Sequence, residues 1–217
     1  MKTNFFLLPI VILGFVSLTS SCQKADIILS PSVTSQIAGL PLESLNADEL
    51  SSLQLMREEE KLARDVYTAL YGKWGISVFL NISTSEQQHT DAVLTLLNKY
   101  GLKDPVGNNL PGVFANPDLQ VLYTQLVAKG SISALEAYKV GATIEDLDIF
   151  DLKNSLLKSD NQDIKLVYDL LLLGSRNHMR SFYGKIISLV SSYSAQFISQ
   201  SELDAIIISP KEKGSSW

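Results

Sequence analysis

The sequence predicts an all-α protein in which four long helices form a bundle, with a long connection between the second and third that carries a short extra helix. Three observations predict it. Apolar residues recur at alternating steps of three and four through four long stretches, the period of a helix with one buried face. Sustained apolar/polar alternation and Asn-Gly or Asp-Gly hairpins are missing, so strands find no support. Helix-start residues stand at the heads of the stretches: Asn46, Ser83, Asn116 before Pro117, and Asp160.

The chain opens with Lys2, an apolar run from Phe5 to Val16, and then small residues, the pattern of a secretory leader over 1–21. Leu18-Thr19-Ser20-Ser21-Cys22 resembles the lipobox of bacterial lipoproteins. Cleavage before Cys22 and acylation of its thiol would tether the mature chain to a membrane, in a bacterial cell envelope and facing the periplasm or the surface. Residues 22–45, rich in Ser, Pro, Leu and Ala, read as a tether.

The bundle itself is expected over 46–192. Asn46 and Glu49 have capping-box spacing and open the first long helix, which runs to about Tyr71 with Gly72 as its stop. Ser83-x-x-Glu86 opens the second, which ends at Tyr100-Gly101. Residues 102–115 read as a loop, and the short extra helix follows Asn116-Pro117 and stops at Gly130. The third long helix runs from about Ser131 to Lys158, and the fourth from Asp160 to about Ser192. Residues 193–217 read as a polar tail with one helical candidate, Glu202 to Ile207.

A single cysteine excludes an internal disulfide framework and any thiolate zinc or iron–sulfur site, so a bound metal must use His, Asp and Glu. The net charge of −5 and the lack of basic runs argue against nucleic acid as a partner.

Each long helix interrupts its apolar seam with a polar group. The first has Glu60 among Leu53, Met56, Ala63 and Tyr67; the second has Glu86 and His89 ahead of Val93 and Leu96. The third has Glu145, with Asp148 one turn later, and the fourth has His178 beside small Gly174 and Ser175. The only two histidines thus fall in the seams of the second and fourth helices. Carboxylates and imidazoles on buried helix faces are costly unless a shared cation compensates them. Two divalent ions would balance Glu60, Glu86, Glu145 and Asp148, with His89 and His178 as neutral donors; this donor set suits iron, manganese or zinc. Glu59 offers the first helix a second seam with Leu55, Leu62 and Val66. Arg64, Arg176 and Arg180 either brace the carboxylates or make surface salt bridges, and Tyr67 and Tyr138 either hydrogen-bond a ligand or pack in the core.

Glu60-x-x-Ala63-Arg64-x-x-Tyr67 followed by Glu86-x-x-His89 resembles the first half of a rubrerythrin-type, ferritin-like diiron domain, and Gly141-x-x-x-Glu145-x-x-Asp148 resembles its third helix. The run Met56 to Arg64 and Gly174-Ser-Arg-Asn-His178 are similar to a still closer, uncharacterised ferritin-like branch known as a domain of unknown function. The resemblance spans about residues 46–190 and implies a ferritin-like bundle holding two iron ions, with Glu60 a terminal ligand, Glu86 a bridge and His89 bound to one ion. It departs at Ser175, which stands where the fourth helix of that family carries a Glu. Asp148 or water would then complete one shell, and a mononuclear or asymmetric site, or manganese in place of iron, stays open. The implied activity is an oxidoreductase acting on peroxide or dioxygen; because the chain has no rubredoxin-like cysteine module, electrons come from an external electron donor, from ferrous iron itself or from a second peroxide. The alternative is a helical-bundle lipoprotein that binds metal or a partner without catalysis. A homodimer is compatible with either.

Overall fold

The computed structural model describes Met1 and residues 32–213; Cys22 and the leader lie outside the described residues. Among these there are seven α-helices and no strand: α1 (Val33–Gly39), α2 (Ala47–Trp74), α3 (Ser77–Lys99), α4 (Pro117–Gly130), α5 (Ala134–Lys158), α6 (Gln162–Ser188) and α7 (Gln200–Ile208).

The α2 capping box forms as expected. The Asn46 side chain accepts from the Glu49 N–H at 2.9 Å, and Glu49 accepts from the Asn46 N–H at 3.0 Å. The second Glu49 oxygen accepts from the backbone N–H groups of Asp160 and Asn161, each at 3.0 Å, so one carboxylate ties the heads of α2 and α6 together. α2 runs through Gly72 and ends at Gly75, whose φ of 64° supplies the left-handed turn that Gly72 does not. α3 starts at Ser77 rather than Ser83. Ser83 bonds back to the Leu80 carbonyl inside the helix, and buried Phe79 and Ile82 extend the seam ahead of Glu86. The head of α6 is Asn161, one residue later than expected, and Ser133 caps α5 through the Glu136 N–H at 3.1 Å.

α2 lies along α3, α5 lies along α6, and contacts of α2 with α5 and of α3 with α6 close the four into one packed group. α4 rests on α2 and α5, α1 on α3 and α6, and α7 on α6. Two segments that read as tether and tail therefore join the fold. Val33 and Ile37 of α1 are buried, as are Tyr193, Ile198, Leu203 and Ile206 near the C-terminus. Both lacked a readable seam because each is too short to display more than two apolar steps.

The connection from α3 to α4 is held by charged residues of α2. Arg57 forms a two-pronged pair with Asp104 at 3.0 Å on each prong and donates to the Thr90 carbonyl. Glu58 accepts from the N–H groups of Ala115 and Asn116 at 2.6 and 3.0 Å. Lys61, fully buried, pairs with Asp65 and donates to the Leu110 carbonyl at 3.1 Å, while Asp65 accepts from the Gly112 N–H at 2.8 Å. At one end of the core Tyr67, Phe79, Tyr138 and Phe182 form an aromatic cluster with centroids 5.2 to 6.3 Å apart. A side chain on Gly141 would come within 2.5 Å of the Phe182 ring, so glycine is what lets that ring reach the cluster.

Candidate metal centre

Beside the aromatic cluster the four long helices place their polar seam residues together. Glu60 of α2, Glu86 and His89 of α3, Glu145 of α5 and His178 of α6 are all buried. Two groups have donor atoms within 4.8 Å of one another: Glu60, Glu86 and His89, and Glu86, Glu145 and His178. Glu86 belongs to both. Its Oε2 lies 2.8 Å from His89 Nδ1 and its Oε1 lies 2.8 Å from His178 Nδ1. Glu60 reaches His89 Nδ1 at 3.2 Å, and Glu145 lies 3.6 Å from His178 Nδ1. The two imidazoles stack with centroids 5.6 Å apart. Gly174 makes that possible, because a Cβ there would stand 2.6 Å from the His89 ring.

Neighbouring groups fix these side chains. Tyr67 donates to Glu145 Oε1 at 2.5 Å, and Ser85, a residue that no motif singles out, meets His178 Nε2 at 3.1 Å. Asp148 is in neither trio; its Oδ2 is engaged by the hydroxyl of Ser175, which also bonds to the Leu171 carbonyl at 2.9 Å. Of the two readings of the arginines, the salt bridges are what form. Arg64 turns to Asp65 and Gln87, while Arg176 and Arg180 clamp Glu212 near the C-terminus, with Arg176 Nε at 2.8 Å and Arg180 Nη2 at 2.8 Å from Glu212 Oε1. Tyr138 stacks on Phe79 at 5.7 Å and packs in the core. Glu59 faces Asp151 of α5, whose charge adds to burial in lifting the Glu59 carboxyl well above the usual range.

The electrostatics are those of a crowded, dry cluster. Burial lifts the Glu60 carboxyl to about 7 against the pull of His89. Burial also raises Glu145, and together with Glu60 and Glu145 it raises Asp148 well above its ordinary value. Glu86 moves the other way: burial opposes its charge, but His178 and His89 outweigh it and hold the carboxyl low. Burial likewise opposes charge on His178, yet Glu86 and Glu145 lift it to about 9. Protons here occupy the places a cation would take, since metal ligands must be deprotonated. Glu60 Oε1 is buried without a hydrogen-bond partner among the described residues. An orphaned buried oxygen is costly, and a cation facing it would satisfy it. Nitrogen and oxygen donors, three to each trio, fit a first-row divalent ion.

Fold and centre together define an all-helical protein with buried carboxylate and histidine groups spaced to hold metal. A family model described as an uncharacterised protein domain, DUF2202, matches residues 49–210, and the chain belongs to that family. The chain is similar to the uncharacterised protein MJ0754 of Methanocaldococcus jannaschii, with 52% identity over 178 residues, 82% of this chain and 96% of the relative. It is also similar to the crystal structure of hypothetical protein MJ0754, at 53% identity and a TM-score of 0.78, covering 80% of this chain and 99% of that one.

Proposed function

We propose that the chain is a ferritin-like four-helix-bundle metalloprotein that binds two iron ions, or manganese in their place, and acts as an oxidoreductase on peroxide or dioxygen. The observation that carries this reading is Glu86, whose two oxygens each lie 2.8 Å from a different histidine. One carboxylate shared by two trios is the arrangement a pair of neighbouring cations needs. Glu60 and His89 would hold one ion, Glu145 and His178 the other. Bound ions of this kind supply Lewis acidity and reversible electron storage. Tyr67 fixes the rotamer of Glu145, and Ser85 fixes the ring of His178. With no rubredoxin-like cysteine module in the chain, an external donor, ferrous iron itself or a second peroxide supplies the electrons. The same proposal places the mature chain on a bacterial membrane through lipid on Cys22.

A second reading, metal binding or partner binding without catalysis, draws on Ser175. Its hydroxyl engages Asp148 where the resemblance calls for another ligating carboxylate. Elemental analysis after loading with ferrous or manganous ion, followed by peroxide and dioxygen consumption, separates the readings. Two metal ions per chain with turnover is the expected result. Loaded protein without turnover supports the second reading, and a chain that retains no metal overturns the first and leaves only partner binding of the second. Loss of labelled palmitate in Cys22→Ser is expected if the anchor forms.

A further inference from the structure

Two cavities approach the centre, and they differ in chemistry. One lies at α3 and α6, is the more open and more polar of the two, measures about 460 Å³, and is bounded by Ser85, Asn177, His178 and Glu212 together with Val78 and Leu173. The other lies under α4 and measures only about 40 Å³. Glu59, Glu60, Glu86, Glu145 and Asp148 line it on the side of the centre, and its outer walls include Leu119, Leu122 and Leu126 of α4, Leu147 of α5, and Phe197.

Phe197 is 41% exposed and stands among the lining residues because Asp146 pins its backbone. The buried Asp146 carboxylate accepts from the Tyr193 hydroxyl at 2.7 Å and from the N–H groups of Gln196, Phe197 and Ile198 at 2.5, 3.3 and 2.9 Å. The Gln196 side chain then donates to Thr143, another wall residue, at 2.7 Å. The C-terminal segment is thus positioned by the residue next to Glu145.

Resting on the metal reading of this centre, we propose that the leucine-walled cavity under α4, with Phe197 at its mouth, is the entry port for dioxygen, and that hydrated ions reach the centre from the polar side. An ion stripped of water costs several kcal/mol, and leucine walls return none of it. Peroxide sheds strong hydrogen bonds on entering such a space, whereas dioxygen has none to shed. Size agrees as well. The cavity's 40 Å³ exceeds the roughly 10–15 Å³ that a single water needs, so a molecule of two heavy atoms fits. Asp146 is in this scheme a positioning residue that keeps Phe197 in place.

Xenon is an apolar probe of such a cavity, and its binding reads the port without any metal. We expect xenon-pressurised crystals of the full chain to show it between Leu122 and Glu145. Leu122→Trp is expected to remove the xenon, keep the metal content, slow oxidation of ferrous-loaded protein by dioxygen at least about tenfold, and leave the peroxide reaction unchanged. Phe197→Ala, a surface change that leaves the core intact, is expected to speed xenon exchange. Wild-type protein with no xenon in the cavity overturns the port, as does a Leu122→Trp variant that reacts with dioxygen at the wild-type rate. Xenon in the cavity of a protein that holds no metal overturns the metal reading alone and supports the cavity as a port for an apolar gas.

Discussion

Glu86 reaches both histidines with one carboxylate, so it differs from the other acids of the centre in a measurable way. Glu86→Ala is expected to remove both metal ions, whereas Glu60→Ala and Glu145→Ala each remove one, by elemental analysis of the loaded protein. Equal losses in all three variants would contradict a shared bridge. Gly174 tests the same geometry from the other side. Its added Cβ would lie 2.6 Å from the His89 ring, and backbone on one side with a fully buried ring on the other leaves little room to yield. Gly174→Ala is therefore expected to push His89 off its position, cost about 1–3 kcal/mol by urea denaturation, and lower metal content by one ion.

The run Arg57, Glu58, Glu59, Glu60, Lys61 on α2 shows how an element divides its work by angle. Only Glu60 faces the centre with its trio; Arg57, Glu58 and Lys61 hold the connection to α4, and Glu59 faces α5. A run of charges of this kind usually marks a solvated face, yet here Arg57, Glu58 and Lys61 are buried because the connection folds back over the helix and supplies them with partners, and Glu60 is buried in the centre. Removing a partner should be expensive. Asp65→Ala strands the Lys61 ammonium, which is fully buried, and is expected to cost about 3–5 kcal/mol by chemical denaturation. At the other end of the chain the hydrogen bonds of Arg176, joined by those of Arg180, hold the Glu212 carboxyl down at about 2 against its ordinary 4.5. A carboxyl with a lowered folded value lends stability above its ordinary value and loses it as the pH falls. The clamp should therefore release between pH 4.5 and about 2, visible as a shift of the Glu212 carboxyl carbon by NMR, and Arg180→Ala should move that midpoint upward.

At the scale of the molecule, a cation that binds only the folded state stabilises it by mass action. Ferrous or manganous ion at a hundred times its dissociation constant is expected to add about 2.7 kcal/mol to the unfolding free energy, read as a rise in thermal midpoint. Glu86→Ala should show no such rise. The folded, metal-free state itself does not depend on the ion for packing, since each long helix brings its own apolar seam to the core.

The helical class, the four long seams and the five residues that meet in the two trios were readable from the sequence, because helical periodicity is a local property: residues three and four apart must share a face whatever the rest of the chain does. Glu60, Glu86, His89, Glu145 and His178 each declared itself by being polar inside an apolar row. What only the tertiary structure decided concerns faces that carry no such contrast. Where Glu58 and Glu59 turn, why Arg64 and Arg176 point elsewhere, how Ser85 and Asp148 are placed, and that short α1 and the C-terminal segment cover the bundle all depend on groups distant in sequence. A charged side chain reports its partner only when the fold has brought that partner within a few ångströms, and no spacing along one helix contains that distance.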